Sequence, residues 1–424
     1  MLDIRLIREE PERCQDRLKA RGGDAWKLIT EVLECDEQRR SGETEKQVLQ
    51  QDRNRLSKEI GKMRSQGEDS SEVESKVRGI GEQIKVIAES TEKAEARQRE
   101  LLLQIPNLPH ENCPVGSDET ANPEIRTWGG KPKFEGFEAV DHLSLAGKLG
   151  LFDFELGAKI SSSGFVVYTG KGARLQRALI QFLLDLHTRE HGYQEVNPPV
   201  VVNRESMFGT GQLPKFEDDM YGIEGNQQFL IPTAEVPVTN LYRDTIQNPD
   251  DFPIKTTAVT HCFRREAGAA GRENRGLIRM HQFDKVELVN VVEPGQSLDQ
   301  LELLTAEAEK VLQTLGLHYR IIELCTGDVG FSSTKTYDIE VWAPGQNEYL
   351  EVSSCSSFGD YQARRMKLRY KGEDGKNHFC HTLNGSGTAL PRLYVALIET
   401  YQQADGSILL PEALHAYFGG EKIT

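Results

Sequence analysis

The stretch from Val259 to Val292 reads VTHCFRREAGAAGRENRGLIRMHQFDKVELVNVV. Thr260-His261-Cys262-Phe263 is a short β-prone run. Phe283, Lys285-Val286-Glu287-Leu288-Val289 and Val291-Val292 form a second one. Between them, Ala267 to Gly276 holds three Gly among dense charges, the composition of a mobile solvent loop. Arg264, Glu266, Arg279 and Glu287 fall in or beside the two runs. Charges are rarely buried unless paired. The hairpin is therefore expected to wall a polar pocket for a charged ligand.

Outward from this hairpin, the chain is long enough for more than one domain: 424 residues, 38% hydrophobic and 28% charged. A net charge of −15 argues against a generic basic nucleic-acid binder and leaves room for a local basic patch. Seven Cys occur without a CxxC pair, which fits reduced thiols. No signal peptide or long apolar run is found, so a soluble, cytoplasmic protein without a membrane partner is expected.

Toward the N-terminus, residues 1–25 read as a short helix capped by Asp3 and ended by Gly22-Gly23. Two heptad-patterned segments follow, from Leu28 to Met63 and from Val73 to Ile105, around the polar break Ser65 to Ser70. An antiparallel hairpin results, each leg on the order of 50 Å long. Arg39, Gly42 and Lys46 interrupt the first seam, and bending or solvent exposure is expected there. Near the turn, Arg53, Arg55, Lys58, Lys62 and Arg64 face only Glu59, and Lys76 and Arg78 lie just beyond. Such a run is commonly the solvated face of a coiled coil. It also suits an RNA backbone or a dimerisation stalk, and periodicity does not separate the three.

Residues 106–136, rich in Pro and Gly, read as a linker between an arm domain, 1–105, and a second domain, 106–424. There, Ala139 to Leu149 and Leu175 to Glu190 read as helices, and His187 and His191 as core or surface His rather than metal ligands. Gly192 to Val202 leaves the second helix as an extended run whose Pro198-Pro199 favours a sheet edge or an interface. Phe229 to Glu235 reads as a strand entering a loop, and Ser297 to Gln300 as a capping box opening a helix to Leu315. Further β runs cover 319–324, 336–342 and 349–352, before a helix from Leu393 to Gln402. Mostly adjacent β runs predict an α+β domain around an antiparallel sheet.

The chemistry follows from residue types. GxSxG, HExxH and GxxxxGK[ST] are all missing. Instead Arg264, Glu266, Arg279, Glu287, Glu351 and Arg392 fall at strand ends. Arginine forks suit phosphates, and carboxylates suit an ammonium or Mg²⁺. Both together are what activation of an amino acid by ATP requires. That attack needs positioning and charge neutralisation more than a protein nucleophile. Surface ion pairs of little energetic worth are the bland alternative.

Three ordered segments carry a resemblance. Gly192 to Pro199 with its preceding helix is similar to motif 1 of class II aminoacyl-tRNA synthetases. Phe263-Arg264-Arg265-Glu266 with Arg279 through Glu287 is similar to motif 2, and Gly385-Ser386-Gly387 through Arg392 to motif 3. With Thr233-Ala234-Glu235, Thr326-Gly327-Asp328, Glu351-Val352-Ser353-Ser354-Cys355-Ser356, Gln362-Ala363-Arg364-Arg365 and Thr382-Leu383-Asn384, the chain resembles the bacterial-type seryl-tRNA synthetases over nearly its whole length.

The resemblance implies an N-terminal coiled-coil tRNA-binding arm, a class II catalytic domain and ligation of serine to tRNA(Ser), and to tRNA(Sec) where present. It implies catalysis by Arg264, Glu266 and Arg392. L-Serine would be held by Thr233, Ala234, Glu235, Arg264, Glu287, Asn384 and Ser386. ATP would be held by Arg264, Arg265, Glu266, Arg279, Phe283, Glu351, Val352, Ser353, Ser354 and Arg392, with Phe283 stacked on adenine. Mg²⁺ would sit on Glu351 and Ser354, and no zinc is expected. The seven basic arm residues would meet the RNA, and the 267–276 loop its acceptor end. A homodimer would form through motif 1. Leu390-Pro391 stands where motif 3 usually has a small residue, but Pro is tolerated in a first helical turn. A catalytically silent RNA-binding paralogue and a ligase that loads a carrier protein are the competing readings.

Overall fold

The structure is a computed structural model that describes residues 1–266 and 276–424. It divides into two compact units, Met1–Pro106 and Asn107–Thr424. The first is all helical: α1 (Ile4–Glu9), α2 (Pro11–Ala20), and two long helices, α3 (Leu28–Ser65) and α4 (Ser71–Gln104). Asp3 caps α1 by accepting from the Arg5 backbone N–H, and Pro11 opens α2 at its first turn.

The hairpin of α3 and α4 is buried at its base, through Ile29, Val32 and Cys35 against Ala94, Gln98 and Leu101. Toward the turn, Leu49, Leu56, Ile60 and Met63 are only half-buried, as a two-helix seam dictates. At the seam's expected interruption the result differs. Gly42 lets α4 come close: a Cβ there would lie 2.3 Å from Thr91 Oγ1. Lys46 and Arg39 swing to Glu43 (2.7 Å) and Asp36 (3.3 Å). Asp36, 2% exposed, also receives Arg8 Nε at 2.8 Å and Gln98 Nε2 at 3.3 Å, tying α1 to both legs of the hairpin.

The second unit is built on an eight-stranded sheet. In chain order its strands are β1 (Glu124–Trp128), β2 (Gln194–Glu195), β3 (Ile254–Phe263), β4 (Gln282–Val292), β5 (Tyr319–Glu323), β6 (Lys335–Ala343), β7 (Glu348–Ser357) and β8 (His381–Ala389). They lie in the order β1-β5-β6-β7-β8-β4-β3-β2. All neighbours are antiparallel except β2 and β3. The β2 edge is where Pro198-Pro199 belongs, because proline cannot donate to a ladder. One expectation is corrected here: the 106–136 segment is no plain linker, since Glu124–Trp128 pairs with β5 as the opposite edge strand. Four Gly and five Pro in that segment hid this short alternating run.

Helices cover one face of the sheet: α5 (His142–Leu149), α6 (Gly170–Arg189), α9 (Ser297–Thr314) and α11 (Leu390–Thr400). Shorter helices α7 (Arg204–Thr210), α8 (Glu235–Asn240) and α10 (Tyr361–Met366) complete the set that bears on the site. Leu175, Leu179, Phe182, Leu183 and Leu186 of α6 enter a core with Val286 and Leu288 of β4 and Leu301, Leu304 and Val311 of α9. The capping-box expectation fails at α9. Its N-cap is Gln296, and the Ser297 hydroxyl instead meets Ser357 Oγ at 2.8 Å. The strand expected to enter a loop by Glu235 does end early, at Leu230, but Glu235 opens helix α8 rather than lying in a loop.

All seven Cys are buried and free of disulfides. Among the described residues no helix is long and apolar enough to cross a membrane. His187 is a core residue with its Nε2 2.9 Å from the Gly387 carbonyl.

Candidate active site

Side chains alternate across a strand, so Phe283, Lys285 and Glu287 of β4 share one face. Asn384 and Ser386 of β8 share it, as do Ser354 and Ser356 of β7. Pairing aligns them: Glu287 lies opposite Ser386, and Asn384 opposite Ser356. These residues line a cavity of about 290 Å³ on the opposite face of the sheet from α6 and α9. Two bulges then shift the alternation. In β8 the register slips between the Val286 and Glu287 pairs, leaving Gly387 as the extra residue. Ala389, and then Arg392, line the cavity beyond it. In β7 the register slips beside Val352, and Glu351 instead of Val352 meets the cavity. A bulge re-aims the side chains beyond it. Here it brings a carboxylate and a guanidinium together.

At one end of the cavity three buried groups interlock. Lys285 Nζ lies 2.5 Å from Glu287 Oε2 and 2.9 Å from Thr233 Oγ1. The Thr233 hydroxyl in turn donates to Glu287 Oε2 at 3.0 Å. Glu287 is 2% exposed and Lys285 8%, so each charge relies on the other. Glu235 closes this end. Burial first, and then the Glu287 charge, push its carboxyl up to about 7, while Gln362 and Lys285 pull the other way. The arrangement suits a small zwitterion: carboxylates for an ammonium, hydroxyls and amides for a polar side chain.

The other end is lined by arginines. The Arg264 guanidinium sits 5.2 Å from the Phe283 ring centroid. Arg279 Nε meets Glu266 Oε2 at 2.5 Å. Arg392 donates to the Glu351 carbonyl at 2.8 Å and pairs with its carboxylate at 3.3 Å. These arginines belong to three separate segments, which keeps several cations within reach of one polyanion. The segment Leu277–Arg279 is held from behind. His142, 1% exposed, accepts from the Leu277 N–H through Nε2 at 3.3 Å. Its Nδ1–H therefore donates to Glu399, at 3.1 Å. Glu399 lies on α11, two turns beyond Arg392.

The cavity gathers Thr233, Glu235, Arg264, Glu266, Arg279, Phe283, Glu287, Glu351, Ser354, Asn384, Ser386 and Arg392. Four expected contacts lie outside its wall. Ala234 packs among Val238, Ala258 and Val289, and Val352 belongs to the main core. The buried Ser353 hydroxyl donates to the Ser386 carbonyl at 2.6 Å. Arg265 is exposed, with its N–H on Asp219 O. The buried side chains of Ala234, Val352 and Ser353 therefore support the wall from behind, whereas the Arg265 side chain points into solvent beside it. The loop expected to meet RNA lies, but for Gly276, outside the described residues. Sequence reading missed Lys285, whose signal was its period-2 spacing with Phe283 and Glu287. It also missed Met280 and His142, for which no local pattern spoke, and it gave no role to Gln362 and Ser356, although both stand in segments that carry the resemblance.

Ser354 lies opposite Asp338 of β6. Burial, then the nearby Glu351, push the Asp338 carboxyl well up, and its Oδ1 has no hydrogen-bond partner among the described residues. An oxygen-rich set of this kind fits a hard divalent cation at Glu351 and Ser354. No group of three or more His, Cys, Asp or Glu side chains among the described residues is arranged to hold a metal by itself. In the helical unit Arg53, Arg55, Lys58, Lys62, Arg64, Lys76 and Arg78 are all exposed. Arg55, Arg64 and Lys76 are paired with Asp52, Glu74 and Glu72 at 3.0, 2.8 and 2.7 Å.

Comparison with known proteins agrees with this geometry. Residues 1–109 match the seryl-tRNA synthetase N-terminal domain, and residues 215–401 match the tRNA synthetase class II core domain (G, H, P, S and T). A serine–tRNA ligase of Akkermansia muciniphila is 66% identical over 423 residues, covering 100% of this chain and 99% of the relative. One from Pelotomaculum thermopropionicum is 51% identical over 420 residues, with 99% of each chain covered. Among solved structures, the seryl-tRNA synthetase of Pyrococcus horikoshii complexed with ATP superimposes with a TM-score of 0.95 at 36% identity, covering 100% of this chain and 99% of that one. The cytoplasmic serine–tRNA ligase of Naegleria fowleri in complex with AMP gives 0.90 at 28%, with the same coverage. Alike in sequence along its whole length and in the architecture that carries the charged cavity, the chain belongs to the seryl-tRNA synthetase family.

Proposed function

We propose that this chain is an ATP-dependent serine–tRNA ligase whose active site is the cavity lined by β4, β7 and β8. The observation that carries the assignment is the adjacency of two environments in one cavity. The Thr233–Lys285–Glu287 cluster suits a small amino acid, and the arginine-lined end suits a triphosphate.

In the first step a serine carboxylate oxygen attacks the α-phosphorus of ATP, and pyrophosphate leaves. Arg264, over the Phe283 ring, neutralises both the attacking carboxylate and the phosphate it approaches. Arg279 and Arg392 hold the outer phosphates, Phe283 carries the adenine, and Glu266 orients the purine end. Such preorganised charge lowers the barrier without a protein nucleophile. In the second step a ribose hydroxyl at the tRNA 3′ end attacks the mixed anhydride carbonyl, and AMP leaves. Glu351 and Ser354 are the residues that would hold Mg²⁺, which would supply further neutralisation of the phosphates.

Glu235, Glu287, Thr233, Asn384 and Ser386 set the amino-acid choice. A pocket built to hydrogen-bond a hydroxyl leaves buried polar groups unpaired when alanine or glycine enters, which rejects them strongly. The exposed cations on α3 and α4 support contact with the tRNA backbone, and the segment from Gly192 to Pro199 with α6 supports a homodimer. A cytoplasmic setting suits seven free thiols. The intact charge set disfavours a catalytically silent paralogue. The test is exchange of labelled pyrophosphate into ATP. It should depend on L-serine; no exchange, or exchange driven by a different amino acid, overturns the assignment.

A further inference from the structure

Gln362 lies behind the cavity wall, 1% exposed, on α10, and none of the site contacts deduced from the sequence includes it. Its side-chain amide joins three other elements. Nε2 lies 3.1 Å from the Thr210 carbonyl at the end of α7 and 2.6 Å from Glu235 Oε1 at the start of α8. Oε1 accepts from the Thr382 hydroxyl of β8 at 2.7 Å. The Thr210 carbonyl can only accept, so the atom facing it is the NH₂ group. That fixes the amide orientation without reference to Glu235. Thr382 holds the opposite end in the same sense. The second N–H of Gln362 is therefore directed at Glu235 whatever the cavity contains.

We propose that Gln362 is a positioning residue for serine recognition: its locked amide clamps one oxygen of the Glu235 carboxylate and leaves the other aimed at the substrate. The inference rests on the reading of Glu235 as part of the serine pocket. Two consequences follow from the charges around Glu235. Glu287 and burial disfavour its ionised form, and Lys285 together with Gln362 favours it. Removing the Gln362 donor shifts that balance toward the protonated acid, which no longer accepts two hydrogen bonds from an incoming ligand. The damage should then be confined to serine and should be greatest at low pH.

The experiment is serine-dependent pyrophosphate exchange by the full-length chain and its Gln362→Met variant across roughly pH 6.5 to 8.5. Methionine keeps the length and volume of the side chain but has no N–H. The KM for serine should rise by about tenfold or more near neutral pH and fall back toward the parent as pH rises, with the KM for ATP unchanged. An unchanged KM for serine, or a rise of equal size at every pH, overturns the inference. Thr382→Val provides a second route should Gln362→Met fail to fold. It removes one of the two holds on the amide and leaves the Thr210 carbonyl as the other, so a smaller rise of the same pH sense is expected; a pH-independent change there also overturns the inference. Glu235→Gln, measured in parallel, separates the two levels. If that variant keeps the parental KM for serine, the pocket reading of Glu235 fails by itself, whatever Gln362 does.

Discussion

Glu235 carries a conflict that pH exposes. Its carboxyl is pushed up to about 7 by burial and by Glu287, against about 4.3 in an unfolded chain. A carboxyl with a raised folded value binds its proton more tightly when folded. The penalty is absent below the unfolded value, grows as pH rises, and is complete above the folded one. Glu235→Gln should therefore stabilise the ligand-free protein at pH 8 by roughly 1–3 kcal/mol, with the gain vanishing at about pH 4. Urea unfolding at the two pH values measures this, and equal stability of both chains at pH 8 would refute it. The same substitution should raise the KM for serine, a trade of function against stability usual at binding sites. Lys285 shows the opposite balance. Lys285→Met leaves Glu287 buried without its cation, which costs roughly 3–5 kcal/mol when a buried pair is broken. A thermal midpoint unchanged in that variant would mean that Glu287 is relieved by another group. At this scale the sequence disclosed the arginines and most carboxylates, because charges beside β runs are conspicuous. Lys285 stayed hidden, because a lysine within a strand reads as solvent-facing until the register places it beside Glu287.

Between residue and fold, the bulges decide which side chains face the ligand. Without the extra Gly387, the face holding Asn384 and Ser386 would continue through Thr388, which is instead fully buried. The extra residue tolerates no side chain: a Cβ on Gly387 would lie 2.6 Å from His187 Nε2. That nitrogen also donates to the Gly387 carbonyl at 2.9 Å. Burial lowers the His187 imidazole to about 4, so the ring stays neutral and this donor persists at physiological pH. Gly387→Ala should push β8 away from α6 and tilt Ser386 and Arg392 together. Exchange kcat should fall by about one to two orders of magnitude. Pairing it with His187→Ala removes the clash, so the double variant should lose less than the two single losses combined. Simple additivity in that cycle would rule the contact out as the cause. Periodicity found the helices and most strands, since α6, α9 and the sheet strands keep one pattern throughout. It did not find the bulges, which break the pattern by one residue, nor the role of Ser297, whose hydroxyl is taken by a strand 60 residues away. The edge strand Glu124–Trp128 was hidden for a related reason: its partner supplies the order that its own composition does not.

For the molecule as a whole, the proposed function gives the two units separable duties. Every residue lining the cavity lies between Thr233 and Arg392, within the unit from Asn107 to Thr424. The long hairpin contributes only exposed cations. Its heptads were plain in the sequence, whereas the depth of its packing was not: only the base of the hairpin buries its seam. Removing Ser41–Ala88 takes away the turn, the basic run and the half-buried distal seam. It keeps Ile29, Val32, Cys35 and Asp36 on one leg and Thr91, Ala94, Gln98, Leu101 and Leu102 on the other, all of them buried. The stub also retains Arg8 and Gln98 on Asp36, so the cross-ties that hold the base survive. The shortened chain should exchange pyrophosphate with serine at the parental rate, because no cavity residue is touched. Transfer of serine to tRNA should collapse, and with it the salt dependence that phosphate contacts confer. Transfer at the parental rate by the shortened chain would make the hairpin a stalk without an RNA role. Loss of exchange together with transfer would instead tie the hairpin to adenylate formation, against the separation of duties. Exposure sharpens the second half of this test. Arg53, Lys58, Lys62 and Arg78 project into solvent, so replacing these four with Gln should weaken tRNA binding more steeply at low salt than at high salt. Exchange should be untouched, since the substitutions lie wholly outside the unit that holds the cavity.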